Sequence, residues 1–527
     1  MSRWTERTAI FLMFAAVSSW LLSVPAFPDG DGFYHARLGE LLLQGKVVTE
    51  FPWLPFTTLA EHYADFHFLF HAMLAPWIGL TDPMVGTVIG SVLLAGLAGA
   101  SFTYLLQCCG VRHAWVFGVV LLSSPGFVAR IAQPRAIGLS VALLFFGQAL
   151  MVLDRRRWLF VIAFAYVWAY GAWPVLPVSA LCALAARLLA EHLEHPQVSA
   201  LALFRRLSRC RELAQLACAT GGALAGLVLN PFFPDNLQVY WVQIVKIALV
   251  GQGGSIPVGN EWGRISFPEL VNRGWSIALL LSALVAAAFV GGLQPRSTPG
   301  SRNDGASQQR LLWLVGMAIA FFFLTLKSRR NIEYLAPFAV AALALASQNV
   351  GIIVKGRDWA FTNRRWMTLS LVSPLICACW LVAWRQLRSE REDLRTDHRF
   401  PWTSRTQVAE WLKANTPQGS VLVHAGWTES SLLFFRGGHN HYVAGLDPTF
   451  LYLRNPKLLP YWFKLGNGDI RTGIAQLMNQ QFKSEWALVD RRYGGMDEAF
   501  AQAPGIVLAY SDDEVKVYRT LTPASAK

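Results

Sequence analysis

TAIFLMFAAVSSWLLSV, residues 8–24, runs without a break into PAFPDGDGFYHAR, residues 25–37. The first stretch is apolar over nearly the length that a bilayer's roughly 30 Å hydrocarbon core demands of a helix. The second sets two carboxylates, an aromatic pair, a histidine and an arginine just beyond it. Ionisable groups at the mouth of a membrane helix are costly unless paired, hydrated or used. The junction therefore reads as a membrane span entering a working polar loop. Val24-Pro25-Ala26 matches a small-residue cleavage site only loosely, so the span is taken as retained rather than removed as a signal peptide.

The same pattern recurs along all 527 residues, which are 54% hydrophobic and 15% charged, with mean hydropathy +0.36. Soluble domains carry about 25% charged residues, so this chain is depleted where a water-facing surface needs them. About eleven spans are expected, near 7–26, 83–106, 113–130, 136–153, 158–173, 175–190, 212–229, 275–292, 311–327, 333–354 and 366–385. Phe66–Leu80 is apolar but short, which suits an interfacial or re-entrant helix. With the N-terminus inside, the segments 154–157, 191–211, 293–310 and 355–365 lie in the cytoplasm, and each carries an Arg or Lys cluster. The Ser-, Gly- and Arg-rich segment 293–310 reads as a flexible linker. The loops 27–66 and 230–274 then face outward, as does the C-terminal region.

The net charge of +13 does not point to nucleic acid, because the basic residues form short clusters between spans, such as Arg155-Arg156-Arg157. Seven cysteines lie in or beside apolar spans and imply no disulfide framework. The absence of an internal repeat weighs against an inverted-repeat transporter.

The composition changes near Ser389, which divides the chain into a transmembrane domain, 1–388, and a soluble domain, 389–527. In the latter, Thr406–Asn415 is expected to be a helix behind the caps Thr403 or Ser404, and Ile470–Gln480 a second helix. Val421–His424, Tyr442–Ala444, Trp486–Val489, Ile506–Tyr510 and Val515–Tyr518 are expected to be strands. The fold class is a polytopic α-helical membrane protein with a small C-terminal α/β soluble domain and no Gly-rich phosphate loop.

The candidate chemistry lies in the outer loops. Asp31 could accept a proton or hold a metal, and His35 and Arg37 could meet a phosphate. Asp29 and Asp31 also suit the N-cap of a helix over Phe33–Leu43, and both readings can hold together. Asp65 is a second acid or the carboxylate that orients a histidine. His67 and His71 share a helical face at i, i+4, yet no Glu lies between them as a metalloprotease would need, so a dedicated zinc site is not expected. Glu261 and Trp262, in Gly259-Asn260-Glu261-Trp262, suit either contact with a sugar or metal, or an interfacial anchor beside a solvated acid. Arg130 and Arg135, with Lys327, Arg329 and Arg330, break the charge rule by lying outside, and a lipid phosphate would give them a purpose. Contact with anionic headgroups alone is the plainer reading.

Asp31-Gly32-Phe33-Tyr34-His35-Ala36-Arg37, directly after the first span, resembles the first-outer-loop acidic motif of GT-C glycosyltransferases, above all the catalytic subunit of oligosaccharyltransferase. The Gly259–Trp262 loop resembles that family's later outer-loop Glu motif. The helix Thr406–Asn415 running into Val421–His424 resembles the opening of its soluble domain. The acceptor motif Trp-Trp-Asp-Tyr-Gly is absent, and His424-Ala425-Gly426-Trp427-Thr428-Glu429 stands near its place. The second acidic motif, due near Arg130–Arg135, has no Asp or Glu. Both departures argue against asparagine glycosylation.

The resemblance implies inverting transfer from a polyprenyl-phosphate or polyprenyl-diphosphate sugar to a glycan, lipid or protein acceptor. Asp31 would be the general base, assisted by Asp29 or Asp65. Arg330, Arg329 or Arg135 would stabilise the departing phosphate. Glu261 would bind metal or acceptor, a divalent metal being the candidate cofactor. The rival is a transporter or lipid-binding membrane protein without catalysis. Midplane charges within spans would favour that rival, and here the acids cluster at span ends.

Overall fold

A computed structural model describes residues 2–194, 210–250, 256, 259–273, 302–355, 380–396 and 400–521. The expected span 275–292 and most of 366–385 lie outside the described residues, as do Cys377 and Cys379. The described chain is mostly helical and groups into two compact units. One comprises Met1–Val24, Val88–Asn230 and Asn260–Asp393; the other comprises Pro25–Thr87, Pro231–Gly259 and Leu394–Lys527.

The first unit is a helical bundle. Among the described residues, three helices are long and apolar enough to cross a membrane: Pro83–Cys108, Val175–His192 and Ala306–Lys327. Arg3–Leu22, Ile137–Val152, Arg156–Ala169, Arg211–Val228 and Ile332–Lys355 stand at further expected spans. The single span expected at 113–130 is instead two helices, Ala114–Leu122 and Pro125–Ile131, bent by 88°. Pro125 has no N–H to continue the ladder, and the Ser123 hydroxyl and N–H both turn back to the Val120 carbonyl.

The expected flexible linker 293–310, of which 293–301 lies outside the described residues, is corrected over 302–310, which belongs to the helix Arg302–Lys327. Its polar start is tied down: Gln309 donates to Glu212 at 2.9 Å and Arg310 to the Cys109 carbonyl at 3.2 Å. Arg156–Ala169 and Arg211–Val228 approach closely at Gly222, where a Cβ would lie 2.2 Å from the Phe160 carbonyl oxygen. Polar groups inside the bundle pair with one another. Gln148 and Trp313 both donate to Ser179, and the Ser140 hydroxyl meets those of Tyr166 and Tyr334.

The second unit is built on a five-stranded sheet: β1 Val421–His424, β2 His441–Tyr442, β3 Trp486–Asp490, β4 Ile506–Ser511 and β5 Val515–Thr520. The order is β2-β1-β3-β5-β4, with β1 parallel to β2 and β3, and β5 antiparallel to β3 and β4. A parallel neighbour needs a crossover, which the helices between β1 and β3 supply. Central β3 is buried along its whole length. It lies over a core that includes Trp462, Met478, Val489 and Phe500. Strand β2 is shorter than expected, and the Tyr442 N–H at its end is taken by the Trp53 carbonyl at 2.7 Å.

Thr406–Asn415 is helical as expected, but neither Thr403 nor Ser404 caps it. The N-cap is Arg405, in left-handed backbone at φ 62°. Its buried guanidinium meets both oxygens of Glu429 at 2.7 and 2.8 Å and also pairs with Asp490. That network holds a backbone geometry which is otherwise unfavourable. The second expected helix runs from Ile474 to Gln481.

The segment Pro25–Thr87 packs into this same unit. Trp53 donates to the Gly438 carbonyl at 2.8 Å, Asn455 to that of Phe56 at 2.7 Å, and Arg454 pairs with Glu61. Phe33 meets Phe435 edge-on at 5.6 Å. The short apolar helix is present as Phe68–Leu80.

Candidate functional site

Two polar clusters gather the residues singled out from the sequence, one in each unit. In the sheet-bearing unit the helix Asp31–Leu43 follows directly on Asp29 and Gly30. Asp31 is its first residue and not its cap. The Asp29 carboxylate does the local work, accepting the Asp31 N–H at 3.0 Å. Gly32 allows Phe27 to lie against the helix start, where a Cβ would fall 2.6 Å from the Phe27 ring.

One turn on, at i+4, His35 shares a face with Asp31. Its Nδ1 lies 2.7 Å from Nε2 of His71, whose Nδ1 lies 2.7 Å from Oδ2 of Asp65. Oδ1 of Asp65 accepts the His67 N–H at 3.0 Å. His35, Asp65 and His71 are all buried, at 2%, 5% and 0% exposure. Beside them the hydroxyls of Tyr34 and Tyr63 are 2.6 Å apart. Burial, then the charges of Asp65 and Asp31, push the Tyr34 phenol well above its ordinary range, so it stays protonated. A cavity of roughly 70 Å³ opens here, lined by Asp31, Tyr34, His35, Tyr63, His67 and Gln243 among others. Arg37 is not in its lining and instead pairs with Glu40 at 2.6 Å. The i, i+4 pair His67 and His71 does not converge, with rings 6.1 Å apart and nearly perpendicular.

The helical unit holds the second cluster. Glu261 and Trp262 sit in a 3-10 turn, Asn260–Trp262. Arg130 and Arg135 donate to Oε2 of Glu261 at 2.6 and 3.0 Å, and Arg330 approaches Oε1 at 3.4 Å. The Arg330 guanidinium lies 4.1 Å above the Trp262 ring and also donates to the Tyr170 hydroxyl. Arg130 makes two bonds to Oε2 of Glu333, a buried acid, at 2.8 and 3.1 Å. Burial pushes the Glu261 carboxyl up, but Arg135, Arg130 and Arg330 outweigh it and hold the group well below the usual carboxylate range. Three guanidiniums against two carboxylates leave the cluster formally +1. Arg329 turns away from it, to Glu269 at 3.3 Å and the Arg264 carbonyl.

Both oxygens of Glu261 therefore accept from guanidiniums. Among the described residues no group of three or more His, Cys, Asp or Glu side chains is placed to hold a metal ion. The described residues around Glu261 therefore do not fit a resident divalent metal. The stretch at the acceptor-motif position is given over to structure, since Glu429 neutralises Arg405 and the His424 carbonyl accepts from Trp462.

Arg130, Glu333, Tyr170, Tyr34, Tyr63 and His71 were not selected from sequence as site residues. Arg130 and His71 carried a signal, the first as a cation in a loop where the expected topology places few and the second as half of a histidine pair. The three tyrosines and Glu333 carried none, because phenols near span ends are common and a lone Glu at a helix start reads as favourable to the helix dipole.

No protein-family model matches this chain, and no curated protein matches it. Solved structures do. The oligosaccharyltransferase of Archaeoglobus fulgidus, tethered to an acceptor peptide containing the NVT sequon, aligns with a TM-score of 0.57 at 12% identity, covering 98% of this chain and 74% of that one. ArnT from Cupriavidus metallidurans bound to undecaprenyl phosphate aligns with a TM-score of 0.53 at 14% identity, covering 97% of each chain. The same protein in its apo state gives 0.52 at 13%, covering 98% of each. The chain thus has a fold like that of the GT-C membrane glycosyltransferases.

Proposed function

We propose that this chain is a glycosyltransferase that moves a sugar or glycan from a polyprenyl-phosphate or polyprenyl-diphosphate donor to an acceptor on the outer membrane face. The observation that carries the reading is the Asp31-lined cavity, with its buried histidines, in a chain whose fold matches ArnT bound to undecaprenyl phosphate over 97% of its length. Midplane charges within spans would favour a transporter, whereas the acids here cluster in loops at span ends.

In the proposed step the acceptor oxygen forms a bond to the sugar's anomeric carbon as the bond from that carbon to the donor phosphate breaks. The electron pair leaves on the phosphate oxygen, and the acceptor's proton goes to the Asp31 carboxylate. A single displacement inverts the anomeric centre. The growing phosphate charge suits a cation cluster such as Arg130, Arg135 and Arg330, since charge-assisted contacts to phosphate are the strong ones. The domain 1–388 would lie in the membrane with its N-terminus cytoplasmic, and 389–527 would lie on the outer face.

The test is transfer by the full chain reconstituted in liposomes with a labelled polyprenyl-linked sugar. Label should appear in a water-soluble or second-lipid acceptor and polyprenyl phosphate should accumulate. Retention of all label on the donor, across a panel of sugars and acceptors, would sink the reading. A cysteine placed after Tyr510 should react with an impermeant reagent from the outside; reaction only from the inside would put the Asp31 loop on the wrong face.

A further inference from the structure

Asp65, His71 and His35 form a hydrogen-bonded chain: Oδ2 of Asp65 lies 2.7 Å from Nδ1 of His71, whose Nε2 lies 2.7 Å from Nδ1 of His35. One arrangement of protons runs both bonds the same way, with the Nδ1–H of His71 donating to the carboxylate and the Nδ1–H of His35 donating to Nε2 of His71. That arrangement makes Nε2 the acceptor of the His35 ring, on a side chain that lines the cavity with Asp31, one helical turn away. The carboxylate at the far end is fixed in turn by the His67 N–H.

We propose that this chain is a proton relay in which His35 drains Asp31, with His71 and Asp65 as its positioning residues. The inference rests on the transferase reading of the same cavity. An Asp31 that has taken the acceptor's proton is a neutral acid and must lose it before the next turnover. The O–H bond of Asp31 breaks, its electron pair stays on the carboxylate, and Nε2 of His35 gains the proton and becomes imidazolium. The negative charge of Asp65, conveyed through His71, stabilises that imidazolium. Solvent removes the proton when the product leaves.

The charged and titratable groups around His35 are Asp31 and Tyr34 on its own helix and Tyr63, Asp65, His67 and His71 on the segment that follows. Tyr240 adds a group from the helix Asp235–Tyr240, where its phenol feels Asp65. Of these only Asp65 is joined to His35 through a second ring. Removing its charge weakens the imidazolium selectively.

The experiment has two arms on the full-length chain in detergent or liposomes. Nitrogen-15 histidine NMR at neutral pH should find both His35 and His71 as the Nδ1–H tautomer; an Nε2–H tautomer at His35 would overturn the relay with no reference to activity. In the second arm, Asp65→Asn should lower kcat by about 10²-fold with donor KM within about twofold, and should move the acid limb of the pH profile to lower pH. Imidazole in the buffer should restore part of the activity lost in His35→Ala, which a purely structural role would not allow. His62→Gln, on the exposed partner of Asp235, should change none of these readouts. A wild type that transfers while Asp65→Asn keeps its kcat and its acid limb would refute the relay and leave the transferase reading standing. A wild type that transfers nothing would refute both.

Discussion

Asp65 and Glu261 are both loop carboxylates drawn out of water beside apolar helices, yet they are held in opposite ways. Asp65 is met by one imidazole and one backbone N–H, and Glu261 by three guanidiniums. A guanidinium never gives up its proton in a protein, so Glu261 and its arginines form a cluster of fixed charge. Imidazole exchanges protons near neutrality, so the Asp65 chain can change its charge state during a reaction. The difference teaches that a shared place in loops beside apolar helices does not mean a shared role. One cluster suits moving a proton, the other suits holding an anion.

The largest effect that bears on this contrast is expected at Asp31. Asp31→Asn keeps the shape and removes the base, so transfer should fall by about 10²–10⁴-fold with the protein still folded. Activity near that of wild type, normalised to folded protein, would move the proton-handling role to Asp65 or His35.

Next comes the cation cluster. Arg330→Ala should weaken donor binding by roughly 1.5–3 kcal/mol while leaving the pH profile unmoved, as loss of one charge-assisted contact predicts. Titration with the lipid-linked donor measures it. Unchanged affinity, in this variant and in the pair Arg135→Ala and Arg330→Ala together, would reassign the cluster to headgroup contact.

A smaller effect separates loss of fold from loss of chemistry on acidification. His424 is buried against Trp462 and Tyr442, its Nδ1 is at 2.8 Å from the Gly426 carbonyl, and its Nε2 has no hydrogen-bond partner among the described residues. Burial, only partly offset by that bond, pulls its pKa down to about 4. The folded state thus holds fewer protons than the unfolded one between about 4 and 6.5, so stability is full above 6.5 and falls as pH drops through that window. From pH 7 to 5.5 the loss should be about 1 kcal/mol, read by denaturant unfolding monitored through Trp fluorescence. A stability flat across that interval would show that His424 is not the acid-sensitive group of the sheet.

The smallest effect should be at Glu261. Glu261→Gln removes a charge that competes with an anionic ligand, so donor KM should fall by about twofold to fivefold, a size typical of a partly exposed ion pair. Because no proton transfer passes through it, kcat should stay the same. A fall in kcat with an unchanged KM would erase the contrast drawn between the clusters.

Much of the architecture was legible in the residues. The apolar lengths marked most of the helices, and all five strand segments were placed to within a few residues. Asp31, His35, Asp65 and His67 were singled out from sequence; Asp31, His35 and His67 line one cavity, and Asp65 is joined to His35 through His71. The break at Ser123-Ser124-Pro125 was missed because the apolar residues on its two sides add up to the length of one span. The Arg405 cap was missed because a left-handed arginine is unfavourable by local preference and is held only by acids 24, 85 and 109 residues away. His71 was seen as a candidate partner of His67 from helical spacing, but its rings turn to His35 and Asp65 instead.

The sequence by itself determined where apolar helices can form, where the composition turns polar, and which loops concentrate acids, histidines and arginines. Those properties are local, set by periodicity and by the cost of taking charge out of water. Only the tertiary structure decided the pairings: that the segment Pro25–Thr87 packs with the C-terminal sheet, that Arg130, Arg135 and Arg330 close on one glutamate, and that a carboxylate and two histidines 36 residues apart form one chain. A hydrogen bond of 2.7 Å between residues distant in sequence depends on how whole helices pack, and no local pattern of residue types encodes it.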